Sequence, residues 1–158
     1  MSSGLVLLLA LGIGIVAGLR CMTAPAVVAW AAHIGWLSLH GSPFAFMGTA
    51  LAVGIFTLLA LVEFVADQLP STPPRTAPLG LSARIVTGAL TGACLAVAGG
   101  AAAWSGALAG VMGGVAGAFA GYHARVGLVR TLRVPDFTVA IPEDLIAIGL
   151  GLLLVSRF

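Results

Sequence analysis

The chain has 158 residues, 60% of them hydrophobic and 8% charged, with a mean hydropathy of +1.15 and a formal net charge of +2. Soluble domains carry roughly 25% charged residues. Seven arginines and five carboxylates are too few to cover a fold of this size in water, so the composition excludes an ordinary soluble domain and points to lipid as the solvent. There is no lysine and no basic stretch that could follow a nucleic-acid backbone. Cys21 and Cys94 stand alone, without metal-ligand spacing, and read as small buried hydrophobes. The expected fold class is all-α, a polytopic transmembrane bundle in one domain, 1–158.

Gly4 to Leu19 is an apolar run ending at Arg20. It reads as a first membrane helix and not as a removed signal, because no basic region precedes it. Cys21-Met22-Thr23-Ala24-Pro25 reads as a stop and restart, with Thr23 as the cap and Pro25 in the first turn of the next helix. Ala26 to Leu37 is short for a spanning helix and suits a re-entrant or interfacial one, with Trp30 and Trp36 at the headgroup boundary. After the turn His40-Gly41-Ser42-Pro43, Phe44 to Leu69 reads as one long helix. Four prolines within 70–78 then forbid a helix and mark an aqueous loop.

Leu81 to Ala103 and Ser105 to Tyr122 read as the third and fourth spans. His123 to Arg133 reads as a separate short helix, broken by Val134-Pro135-Asp136, and Thr138 to Val155 as the fifth span. Five spans put Arg75, Arg84, Arg125, Arg130 and Arg133 on one side and Arg20 and Arg157 on the other. The excess of arginine on cytoplasmic loops then favours an N-terminus inside and a C-terminus outside. An extra crossing by 26–37 would change that parity.

Two stretches look alike: 14–20 and 117–123 are both glycine-rich helix ends, each followed by a broken segment and a span bearing a glutamate. Units 4–69 and 105–158, joined by the span 81–103, would form an inverted repeat, a recurring transporter plan. Glycine- and alanine-rich helices also resemble one another by composition alone. The glycines at four-residue spacing (14 and 18; 88 and 92; 106 and 110; 113, 117 and 121) let helix backbones approach closely, within the chain or between copies.

Charges at membrane depth are costly and face a partner or water. Glu63 and Asp67 share a helix face, Glu143 and Asp144 open the last span, and Arg84 and Arg125 flank the same side. They read as interfacial salt bridges or as a mouth for a cation or proton. Arg20 and Thr23 are expected at the opposite entrance, where an arginine beside a helix N-terminus suits an anion or a lipid headgroup. His33, His40 and His123 read as interfacial. No nucleophile arrangement, metal set or cofactor motif is visible, so the expectation is no catalytic residue, no metal and no cofactor.

The strings 18–26 (Gly-Leu-Arg-Cys-Met-Thr-Ala-Pro-Ala), 63–70 with Arg75-Thr76-Ala77-Pro78, and 142–149 (Pro-Glu-Asp-Leu-Ile-Ala-Ile-Gly) resemble a family of small bacterial integral membrane proteins, DUF4126, for which no activity is established. The resemblance covers nearly the whole chain. It implies a bacterial inner-membrane location and carries over no residue role.

Two functions follow as expectations. One is a small transporter or channel-like homo-oligomer for an ion or small solute, with Glu63, Asp67, Glu143 and Asp144 as its polar site, Arg84 and Arg125 balancing charge, and Arg20 and Thr23 at the far entrance. On that reading Glu63→Gln stops transport and leaves folding intact. The other is a non-transporting scaffold or accessory subunit whose charges are structural. A lipid-modifying enzyme is weaker, because no nucleophile is visible.

Overall fold

A computed structural model of the chain describes residues 1–67, 76–133 and 136–158. It is helical, with α1 at Ser3–Leu19, α2 at Thr23–His33, α3 at Ala50–Ala66, α4 at Pro78–Ala98, α5 at Ala103–Leu132 and α6 at Asp136–Val155; a single 3-10 turn, Ala45–Gly48, precedes α3. No strand occurs among the described residues. The proline-rich stretch through Arg75 and the Val134-Pro135 break lie outside them. Three segments, Pro78–Ala98, Ala103–Leu132 and Thr138–Val155, are long and apolar enough to cross a membrane, and Ser3–Leu19 and Ala50–Ala66 are shorter apolar helices.

Local chemistry sets the helix ends. Ser2 caps α1 by accepting from the Leu5 amide, and Thr49 caps α3 through the Ala52 amide. Gly48 and Thr49 therefore split the long helix expected over 44–69. α4 opens on Pro78, whose missing N–H costs nothing in a first turn. Gly100, at φ +75°, makes the tight turn into α5. α5 runs unbroken through 123–132, so the separate short helix expected there is its last turns. α2 stops at His33, earlier than expected, and the chain beyond it folds back with Leu37, Leu39 and Met47 buried in the core.

α1, α4 and α5 form the tightest part of the bundle. Gly14 lies against Gly110, and Gly18 against Gly114 and Gly117, so α1 and α5 run side by side in the same direction. Gly88 meets Gly110 and Gly92 meets Gly106, so α4 runs against both. At each of these positions a Cβ would enter the space of a neighbouring backbone. These glycine faces close on one another inside the chain, the first of the two alternatives that their spacing left open. The parallel run of α1 and α5 also departs from the inverted relation expected between units 4–69 and 105–158, which requires opposed directions.

The remaining helices alternate. α2 returns along α3, where the Trp30 indole donates to the Thr57 hydroxyl midway along α3. α6 runs against α1, with Leu154 over Gly12 and Asp144 beside Arg20. Both chain ends consequently lie at one end of the bundle, not at opposite ends as five crossings required. The difference arises because 23–49 carries the chain back across to the start of α3.

Large side chains such as Leu51, Leu58, Leu61 and Val65 on α3, Leu108 and Met112 on α5, and Leu145 and Ile146 on α6 stand exposed. A surface of this kind is compatible with lipid tails, while soluble monomers rarely expose contiguous apolar patches above a few hundred Å².

Candidate functional site: a buried charge network at a helix break

Arg20 ends α1 in an extended conformation, and α2 begins three residues later. The break points at the end of α3. Arg20 donates through Nη1 to Asp67 Oδ2 at 3.0 Å and reaches the Glu63 carbonyl at 3.4 Å. Its Nη2 pairs with Asp144 Oδ1 of α6. The guanidinium also lies 5.7 Å from the centre of the Phe64 ring, a cation–π arrangement. One arginine thus ties the helix break to α3 and α6. The expectation that Arg20 and Thr23 sit at the entrance opposite the acids is overturned, because counting crossings missed the return of the chain through α2.

Glu63 holds the other side of the break. Its carboxylate accepts from the Cys21 amide at 2.7 Å and from the Met22 amide at 2.8 Å. These amides open onto α2 and lack helical partners, so a carboxylate there satisfies orphan donors and meets the positive end of the helix dipole. Thr23 was expected to cap α2. Met22 holds the cap position without a side-chain bond, and Glu63 from α3 does the work instead.

Arg84 is buried within α4. It donates through Nε to the Gly18 carbonyl at 3.0 Å and through Nη1 to Gly80 at 2.9 Å, and its Nη2 lies 3.9 Å from Glu63. Arg125, about three-quarters along α5, lies 3.6 Å from Glu143 and donates to the Asp67 carbonyl at 3.4 Å. Glu63, Asp67, Glu143, Asp144, Arg84, Arg125 and Arg20 therefore converge on one network. It counts three arginines and four carboxylates among the described residues, all of them buried or mostly so.

A cavity of about 190 Å³ abuts this network between α2, α3 and α6. Arg20, Asp144, Thr23, Trp30 and Thr57 supply its polar wall, and Val27, Ala60, Leu61, Phe64 and Ile148 contribute to its apolar one. Two polar atoms of the first pair, Arg20 Nε and Asp144 Oδ2, are buried without a hydrogen-bond partner among the described residues. Thr23 was a candidate from the sequence, whereas Val27, Thr57, Ala60 and Leu61 carry no charge and follow no motif. Only the folding of α2 against α3 could reveal them. His33 and His123 bond backbone carbonyls, of Gly48 and Phe119.

The family model described as "Domain of unknown function (DUF4126)" matches residues 7–156, nearly the entire chain. The chain belongs to the DUF4126 family. No curated protein and no solved structure matches it. Family membership takes in every residue of the charge network and the cavity, and it attaches no activity to them.

Proposed function

We infer that this DUF4126 protein is a small transporter or channel-like protein of the bacterial inner membrane, handling an ion or small solute at the α1–α2 break. The observation that carries the reading is the buried pair Arg20–Asp144, two charged residues that help line a cavity between α2, α3 and α6. Burying charge is expensive, and a network that serves stability alone is better fully satisfied.

Orientation follows from the same network. Arg20, Arg84 and Arg125 gather at one end of the bundle, and Arg130 and Arg133 continue along α5 beyond it, against Arg157 near the other end. The arginine bias makes the network end cytoplasmic. Both chain ends then face outward, whereas the sequence alone led us to expect a cytoplasmic N-terminus.

The scaffold reading has its own support: each of the three arginines links separate helices, as a structural lock would. Proteoliposomes separate the two. Proton, cation and small-solute flux are measured for wild type and Asp144→Asn, with melting temperature in parallel. Flux in wild type that falls in the variant at similar stability supports transport. An absence of flux in both, with stability falling in the variant, supports the lock.

A further inference from the structure

Arg20 and Asp144 stand at one end of the cavity, but with side chains only 3% and 4% exposed they offer it almost no surface. Most of the wall is apolar, with Val27, Ala60, Leu61, Phe64 and Ile148 along it. At the other end the Trp30 indole and the Thr57 hydroxyl bond each other at 3.1 Å. A space walled mainly in this way gives a polar solute little in exchange for its hydration, and it favours hydrocarbon.

Shape and position narrow the hydrocarbon to a chain. The lining runs from Phe64 back to Thr57 on α3 and from Thr23 to Trp30 on α2. Each stretch is about 10 Å long at 1.5 Å per residue. Because α2 returns along α3, the cavity is a groove parallel to the bundle axis. It starts at the level of the charge network and runs toward the middle of the bundle. Trp30, Leu61, Phe64 and Ile148 are exposed, so the groove opens between α3 and α6 onto the apolar exterior. A lipid chain in the leaflet on the network side follows the same line, from headgroup level toward the bilayer centre. The volume of about 190 Å³ exceeds the roughly 150 Å³ of an apolar cavity that accepts benzene, which is room for a chain segment.

We propose that the groove between α2, α3 and α6 binds one acyl chain of a membrane phospholipid from the network-side leaflet, recognised by its hydrocarbon and not by its headgroup. The chain closes the cavity toward the lipid and bridges α3 and α6, which barely meet directly among the described residues. The site does not depend on the transport reading, which concerns the charged pair at the end of the groove.

Trp30 lines the groove at its inner end and can report on it. With Trp36→Phe and Trp104→Phe it is the only indole. The full-length protein, stripped of lipid in a steroidal detergent, is titrated with phosphatidylglycerol and with phosphatidylcholine, each brominated at mid-chain to quench the indole. The expected result is quenching that saturates at about one lipid per chain, with midpoints for the two headgroups within about threefold of each other. Unbrominated lipid reverses it, and glycerophosphocholine, which has the headgroup and no chain, does not. Ala60→Phe, which fills the groove from α3 and leaves the charge network intact, raises the midpoint at least about tenfold. Native mass spectrometry should find one retained phospholipid on the wild type and none on this variant. Ala60→Leu, a smaller filling, should weaken binding in the same direction and serves if the phenylalanine variant does not fold. Quenching that is absent or rises without a plateau overturns the proposal. So does a midpoint that both fillings leave unchanged, or a preference of about tenfold or more for one headgroup. Chain binding without flux in proteoliposomes leaves the site standing and removes the transport reading alone.

Discussion

Arg20 and Asp67 lie 47 positions apart in the chain and meet at 3.0 Å, with Asp144 on the other side of the same guanidinium. That contact brings the end of α1, the end of α3 and the middle of α6 to one point. It is why the break after α1 belongs to the acidic end of the bundle. Arg20→Met leaves two buried carboxylates without their cation, and breaking a buried pair from one side costs about 3–5 kcal/mol. Denaturation in detergent should show a loss of that size. Pairing it with Asp67→Asn in a double-mutant cycle should return a large coupling. Independent, additive effects would mean that the contact contributes little.

Glu63 is a structural residue first. Its carboxylate occupies two backbone amides at the start of α2 and approaches Arg84. Glu63→Gln replaces one of two acceptor oxygens with a donor facing an N–H, so a stability loss of about 1–3 kcal/mol is expected, with the cost falling on the packing of α2 against α3. That revises the expectation that Gln at 63 would leave folding intact. Asp144→Asn keeps an oxygen toward Arg20, and Arg20 keeps Asp67, so it should destabilise less than Arg20→Met. Melting temperatures of the three variants side by side check the order.

How much of this was legible in the sequence depended on whether a feature was local. The apolar run at 138–155 is a helix as expected, because hydropathy and length are properties of the run itself. The acids at 63, 67, 143 and 144 were recognisable because charge at membrane depth demands a partner. The continuation of α5 past Tyr122 was misread: arginines signal the edge of the hydrocarbon, and no proline stands between Tyr122 and Leu132 to stop the helix. Gly48-Thr49 was a readable cap signal inside a stretch taken as one helix. The side on which Arg20 lies was not legible, because it depends on how the chain beyond His33 turns back, and its buried Leu37, Leu39 and Met47 look in sequence like any apolar loop.

The glycines divide into two groups by what surrounds them. A Cβ at Gly110 would collide with the Gly88 carbonyl, whereas Gly54 and Gly149 have no neighbouring atom within 4 Å of that point. Gly110→Ala should force α4 and α5 apart, costing about 1–3 kcal/mol or more. Gly54→Ala should be neutral or stabilising by up to about 1 kcal/mol, since alanine is the better helix former. Thermal unfolding of both variants in one detergent tests the contrast. A tolerated Gly110→Ala would mean that the α1, α4 and α5 backbones are further apart than this packing requires.

The orientation can be settled by labelling. With Cys21 and Cys94 replaced by alanine, single cysteines are introduced as Ser3→Cys at the start of α1, Ser156→Cys after α6, and Arg130→Cys on the last turns of α5. Because α1 begins and α6 ends at one end of the bundle, the first two should behave alike whatever the absolute orientation. Because the arginines gather at the other end, both should react with a membrane-impermeant maleimide in intact cells, and Arg130→Cys only after permeabilisation. Opposite behaviour of positions 3 and 156 would break the alternation of helix directions itself, and with it the meeting of Arg20 and Asp67. Labelling of both only after permeabilisation would keep the fold and reverse its orientation, which would move the charge network and its cavity to the outer half of the membrane.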